Sequence, residues 1–448
     1  MFITIAGATG YIGKNLIERL LPKYKVKGLS RSKRESCPEI EWVEADLFSY
    51  QSTQNALKNT DVAIYLVHSM LPSTRLFQGN FQDTDLLIAD NFAKACIKNG
   101  VKQIIYLGGL VPNVGQSKHL ESRKEVEDVF KQTGIPLTIL RAGMVVGDGG
   151  SSFEILRNLV FNLPGMILPR WTKSNTQTIY LDDLLAVIND ALANDVYYNK
   201  TINVVNGEKI NYEELIAQSA EYFGRKKIMI PVPINYTSFS KLWVSVFGEA
   251  DYELVSPLID SLLCELPSPK VPNEIAHLIK YKTYREMLLK LEKVKRNSKK
   301  KNLNTINSVN SVRSIQRLPN PDQLSQDDLS QEYINWLPKH LRFLVKAKSE
   351  GDLVEISTIG LDRPLLVLKR QKITEELERV KFHIVGGLLS KNSDSGWLEF
   401  RLVAGGKYTL VSINEFIPSL PWYFYKYTQA PCHAVVMRSF GKFLQRHK

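Results

Sequence analysis

The chain has 448 residues and a formal net charge of +12. That length exceeds one ordinary core and suits two to three domains, and its hydrophobic share of 44% and charged share of 23% are those of a globular protein rather than a disordered one. There is no long uninterrupted apolar run to read as a spanning helix, the first residues lack the layout of an export signal, and four scattered cysteines (Cys37, Cys96, Cys264, Cys432) give neither a zinc spacing nor a disulfide framework. No metal site and a reducing, cytoplasmic setting are therefore expected.

The chain opens on a short β-branched run, Phe2–Ala6, that leads straight into Gly7-Ala-Thr-Gly10-Tyr-Ile-Gly13 and a helical pattern from Ile12 to Leu21. Strand, glycine turn and helix in immediate succession make a dinucleotide site of what would otherwise be a plain turn. Gly7 allows the tight turn, Gly10 lets the backbone approach a pyrophosphate, and Gly13 lets helix and strand pack closely. The N–H groups at the helix start then face the phosphates. Thr9, Tyr11 and Ile12 complete the expected nucleotide-holding turn.

Further strands are expected at Lys25–Leu29, Glu41–Glu44, Asp61–Val67, Val101–Leu107 and Pro136–Arg141, with helices at Gln51–Leu57, Asp83–Lys98, Lys118–Gln132 and Asp182–Ala193. Strands rich in Val, Ile and Leu without alternation are covered on both faces, so this region reads as an α/β, doubly wound parallel Rossmann sheet. Residues from about 151 to 291, with short strands at Thr178–Tyr180 and Thr201–Val205, are expected to cap the sheet's C-terminal edge and shape a substrate cleft. The first domain thus spans 1–291.

Residues 292–314 read as a basic, flexible linker. The run Lys290–Lys301 holds one acid, Glu292, among its charges. It leaves open a peripheral contact with anionic membrane, and the absence of interleaved aromatics argues against nucleic acid. From 315 to 448 the pattern changes to a helix over Asp328–Ala347, strands including Gly396–Val403 and Tyr408–Ile413, and a final helix over Thr428–Gln445. That is a separate α+β domain with an antiparallel sheet and a long C-terminal helix.

The second strand ends in Ser30-Arg31-Ser32-Lys33-Arg34, with no acid until Glu35. Arg31 can pair with a ribose 2′-phosphate and Ser30 can add a hydroxyl, so NADP is favoured and NAD left open. Asp46-Leu47 sits where a carboxylate can reach the adenine amino group or cap the next helix. His68-Ser69 follows the fourth strand, at the edge where ligands bind in such sheets.

With this turn, Arg31, Asp46-Leu47 and Tyr106-Leu-Gly-Gly109, the first domain resembles the atypical short-chain dehydrogenase/reductases. Within them it is similar to the NmrA-like proteins and to the nucleotide-binding accessory subunit of respiratory complex I. His119-Leu-Glu-Ser-Arg123, Leu168-Pro-Arg-Trp171 and Pro418-Ser-Leu-Pro-Trp422 are similar to bacterial NAD(P)-binding proteins of uncharacterised activity with an extra C-terminal domain. The resemblance implies a Tyr and a Lys four residues apart on the helix after the fifth strand. Here that helix offers His119 and Arg123 instead. Two readings follow. In one, His119 titrates near neutrality and donates or accepts a proton while Arg123 holds the ribose, in a reductase acting on a small hydrophobic carbonyl or quinone. In the other, the chain binds nucleotide without turnover, as a redox sensor or scaffold. A lipid-binding role at the membrane surface is a third. The C-terminal region from Leu353 is similar to START-like helix-grip folds, and Trp397, Phe400, Phe416, Trp422, Phe424, Tyr425 and Phe440 then either line an apolar cavity or fill a small core.

Overall fold

The computed structural model describes residues 1–69, 76–112, 117–233, 235–291, 311–341, 344–371, 379–391 and 396–446. The basic run from 292 to 310 lies outside the described residues. The chain divides into two compact units: Met1–Leu71 with Ile88–Lys299, and Pro72–Leu87 with Lys300–Lys448.

In chain order the first elements are β1 (Phe2–Ala6), α1 (Tyr11–Leu20), β2 (Lys25–Ser30), β3 (Ile40–Glu44), α2 (Tyr50–Ala56), β4 (Val62–Tyr65), β5 (Leu76–Gln78), α3 (Phe81–Lys98), β6 (Gln103–Gly109), α4 (Lys118–Lys131) and β7 (Leu137–Ala142). They continue with β8 (Met144–Val146), α5 (Ser151–Asn162), β9 (Gly165–Leu168), β10 (Asn175–Thr176), β11 (Thr178–Tyr180), α6 (Leu181–Asp190), β12 (Lys200–Val204), β13 (Ile210–Asn211), α7 (Tyr212–Tyr222), β14 (Ile228–Pro231), α8 (Thr237–Phe247), α9 (Tyr252–Leu262) and α10 (Tyr284–Lys290).

Seven parallel strands form the sheet of the first unit in the order β12-β7-β6-β4-β1-β2-β3. The order reverses between β1 and β4, the crevice where doubly wound sheets bind ligands. Ile3, Ile5, Ile64, Ile105 and Leu140 are fully buried in its core, as the unbroken apolar runs of these strands require. A second apolar cluster joins α5, α7, α8, α9 and α10, with Phe153, Leu215, Val255 and Met287 at its heart.

The second unit adds β15 (Val312–Pro319), α11 (Gln326–His340), β16 (Lys346–Glu350), β17 (Leu353–Ser357), β18 (Leu366–Gln371), β19 (Arg379–Gly386), β20 (Gly396–Val403), β21 (Tyr408–Phe416), α12 (Trp422–Tyr427) and α13 (Gln429–Arg446). Its sheet runs β16-β17-β18-β19-β20-β21-β15, all antiparallel, with β5 added in parallel beside β15. Three expectations shift here. Strand β15 begins at Val312, so residues 312–314 are strand rather than linker. The helix expected up to Ala347 stops at His340, and Lys346 starts a strand. Residues 72–87, read as part of the first domain, group with the second unit.

Helices α11 and α13 share one apolar core with the sheet. Phe400, Phe416, Tyr425 and Phe440 are buried in it, whereas Phe424 is exposed. Trp397 lies under the Lys381 ammonium, 4.2 Å from its ring centroid, and the Trp422 side chain lies outside the described residues. The void between α11 and the sheet measures about 10 Å³, room for about one water. This seam is closed by aliphatic side chains with Tyr333, Phe382 and Phe400 and is a core rather than a ligand chamber.

Candidate functional site

The glycine turn has the geometry its spacing implies. Gly7 adopts φ +88°, and a Cβ on Gly13 would stand 2.3 Å from the Gly7 carbonyl oxygen. A side chain at Gly13 would force helix and strand apart, and one at Gly7 would meet both a left-handed backbone and Leu66, 3.1 Å away. Helix α1 starts from Gly10 with no side-chain cap and no acid in its first turn. Its leading N–H groups are thus left for an anion, and no carboxylate competes for them. These features fit a nucleotide diphosphate.

Around that turn the expected residues divide. Arg31 is exposed at the end of β2. The Ser30 hydroxyl is committed to the protein, accepting from the Ser32 amide and from Arg34 Nε, each at 3.3 Å. The Arg34 guanidinium lies 5.1 Å from the Trp42 ring centroid. Arg34 is therefore a second cation fixed at this strand end, which the sequence reading passed over. Asp46 is not the cap of α2. Ser49 caps it by accepting from the Ser52 amide, while Asp46 Oδ1 accepts from the Phe48 amide at 3.2 Å and closes its own turn. The Leu47 and Phe48 carbonyls accept from Asn91 Nδ2 at 2.8 and 3.0 Å, which ties this turn to α3. Tyr11 turns away from the role expected of it: its ring is enclosed by the loop 147–150, and a Cβ on Gly147 would lie 2.1 Å from its hydroxyl. That burial raises the phenol's pKa, with Asp148 adding to the effect.

At the C-terminal edge of the sheet the structure brings together His68, His119 and Arg123, close enough for Arg123 and His119 to act electrostatically on His68. Ser69 is half-buried beside His68. Tyr106 is a core residue whose hydroxyl donates to the Arg123 carbonyl at 3.3 Å. Arg141 forks onto the fully buried Glu127 with bonds of 2.8 and 2.5 Å, which locks β7 to α4.

His119 departs from its expected chemistry. Burial, reinforced by the Arg123 charge, pushes its imidazole down to about 3. It is neutral at physiological pH rather than poised near neutrality, so it acts as an acid only after first taking up a proton. Its Nδ1 lies 3.1 Å from Ser261 Oγ, which lies 2.8 Å from Ser117 Oγ. Ser117 is the N-cap of α4, and Ser261 comes from α9.

His119 and Ser261 open onto a cavity of about 220 Å³ whose other walls include Gly109, Gly143, Leu156, Trp171, Ile216 and Ile259. Gly109 and Gly143 flank the C-terminal ends of β6 and β7, and the rest of the wall comes from the capping region. Sequence reasoning placed a cleft there but missed α8 and α9. The signal was present in Leu254, Val255, Leu258, Ile259 and Leu262, which share one helical face. Among the described residues no cluster of His, Cys, Asp and Glu could hold a metal, and no helix is long and apolar enough to cross a membrane.

Residues 7–162 match the NAD(P)H-binding family. A stretch of 110 residues is 32% identical to the auxiliary protein GraX of Staphylococcus aureus, covering 24% of this chain and 36% of GraX, so the match spans about a third of that relative. Two solved structures share the fold. A nucleoside-diphosphate-sugar epimerase from Staphylococcus aureus superposes with a TM-score of 0.52 at 16% identity over 64% of this chain and 99% of its own. The Citrobacter sp. triphenylmethane reductase complexed with NADP(H) does so with a TM-score of 0.51 at 20% identity over 64% and 99%. Residues 7–162 are thus an NAD(P)H-binding domain, in a unit that shares the fold of those two structures.

Proposed function

We propose that the chain is an NADP-preferring oxidoreductase acting on a small hydrophobic carbonyl or quinone. One observation carries this reading: an apolar cavity of about 220 Å³ meets the C-terminal ends of β6 and β7, with half-buried His119 as its titratable wall residue. Bound NAD(P)H supplies a hydride. The chain's own part is to hold the nucleotide on the Gly7–Gly13 turn, keep water from the reacting carbon with aliphatic walls, and place His119 where it accepts the alcohol's proton in oxidation and, once protonated, returns it to the carbonyl oxygen in reduction. Arg123, buried on the same face of α4 one turn on, contributes a fixed positive charge beside it.

Exposed Arg31 and the anchored Arg34 support the preference for a 2′-phosphate. Fluorescence titration with NADPH and NADH tests it. NADPH is expected to bind in the micromolar range and NADH much more weakly, and Arg31→Ala should weaken NADPH about tenfold with NADH unchanged. Equal affinities for the two nucleotides would remove the NADP preference. For the chemistry, a panel of hydrophobic carbonyls and quinones is compared with His119→Gln. Turnover unchanged by that substitution would exclude His119 from the reaction.

One observation favours a second reading, a binding protein without turnover: α4 carries His119 and Arg123 where the resembled enzymes have a tyrosine and a lysine. Tight NADPH binding with no turnover across the panel would select it.

A further inference from the structure

We infer that the first unit's cavity binds an apolar molecule carrying a single hydroxyl, a ring alcohol or a substituted phenol, whose O–H donates a hydrogen bond to His119 Nε2. The inference rests on the proposed function in placing the substrate in this cavity, and it names the class of ligand the resting site recognises; of that class the ring alcohol, oxidised to the ring ketone, is the partner of the hydride couple, and the phenol is a non-reacting probe of the same site.

A count of protons carries it. Ser261 has one hydroxyl proton, and its Oγ lies 2.8 Å from the Pro257 carbonyl, which can only accept. The Ser261 proton therefore goes to Pro257, and its other two neighbours must donate to it. Ser117 can, because its oxygen accepts from the Leu120 amide at 3.3 Å and its own proton is free to point at Ser261, 2.8 Å away. His119 does so through Nδ1–H at 3.1 Å. The uncharged ring then carries its proton on Nδ1 and a lone pair on Nε2. Nε2 is buried and finds no hydrogen-bond partner among the described residues.

The rest of the wall offers little competition. Trp171 Nε1 donates to Ser240 Oγ at 3.0 Å, and the Tyr212 hydroxyl is bonded to Thr176. A ketone or quinone brings only lone pairs and would set them against that of Nε2, whereas a hydroxyl supplies the missing donor. At about 220 Å³ the cavity exceeds the roughly 150 Å³ that holds benzene, which suits one ring with one or two substituents.

p-Cresol and p-xylene share a shape and differ by the hydroxyl, so they probe this directly on the full chain by calorimetry. p-Cresol is expected to bind at least about tenfold more tightly. His119→Phe should bring the ratio near one while leaving p-xylene bound. In the wild-type protein, ¹⁵N shifts should show His119 protonated at Nδ1 and bare at Nε2, a readout that needs no variant to fold. Equal binding of the two compounds, binding of neither, a ratio that survives His119→Phe, or the opposite tautomer would overturn the inference. The NADPH titration separates the two proposals. Normal NADPH affinity without cresol discrimination defeats this inference alone. Cresol discrimination without NADPH binding defeats the proposed function and leaves the phenol site standing.

Discussion

Both units press helices against an apolar wall, yet one seam is hollow and the other is solid. In the first unit the space bounded by α5, α7, α8 and α9 holds about 220 Å³. In the second, the space between α11 and the sheet holds about 10 Å³. The difference lies in which side chains meet. Phe440 sits with its ring centroid 5.2 Å from Tyr333, 5.1 Å from Trp336 and 6.1 Å from Phe443. Flat rings at these separations stack and tilt into one another without gaps. Aliphatic side chains make up most of the wall in both seams, but the hollow one also has Gly109, Ala142 and Gly143 in its wall, which bring little to fill it. Hydrophobic content alone does not distinguish a binding chamber from a core; the reach of the side chains across the seam does.

The largest test of this contrast removes a ring from the second unit's core beside the solid seam. Phe440 is fully buried, and Phe440→Ala should cost about 3–5 kcal/mol of stability, read as a lower urea midpoint for the second unit. NADPH affinity, a property of the first unit, should not move. A loss below about 1 kcal/mol would mean that the second seam collapses easily and is not the rigid member of the pair.

The first unit keeps His68 and His119 neutral and the second keeps His433 neutral, and acid should loosen both units. Burial pushes His433 down to about 4, and burial with the Arg123 charge pushes His119 down to about 3. In the unfolded chain either ring takes a proton near pH 6.5. Below that pH the unfolded state binds a proton that the folded state refuses, so stability falls as pH falls. The fall continues to about pH 4 for His433 and to about pH 3 for His119, with a slope of up to about 1.4 kcal/mol per pH unit for each group. Between pH 6.5 and 5, His433→Phe should flatten the second unit's pH dependence, and His119→Phe should reduce the first unit's while leaving the share that His68 contributes. An unchanged slope in either variant would place that ring in solvent.

Where local pattern and final structure coincide, the sequence was readable. The glycine turn, the alternating βα units and the His119–Arg123 spacing all depend on residues within a few positions of one another, and the structure places them as their periods require. Long-range facts were not readable. Nothing near His119 in the chain announces Ser261, 142 residues away, or shows that Ser30 would be occupied by Arg34. The short strand β5 carries no signal that it pairs with β15 across more than two hundred residues, because pairing partners are chosen by the folded sheet. The aromatics of the second unit were visible, but whether they line or fill a space depends on distances across the core rather than along the chain.

The smallest expected effect is also the most direct comparison of the two seams, because it applies one chemical change to both. Leu258 lines the hollow seam and Leu337 the solid one. Leucine to phenylalanine adds volume and stiffness at either site. Leu337→Phe must fit a void of about 10 Å³, and overpacking of that kind costs about 1–3 kcal/mol. Leu258→Phe can turn its ring into open space, so its stability should change by less than about 1 kcal/mol while p-cresol and p-xylene are both excluded. Denaturant melts of the two variants, with cresol calorimetry on the first, give the comparison. If Leu258→Phe is as costly as Leu337→Phe, the cavity walls are too stiff to accept a ring, and a single-ring ligand would have no room there either.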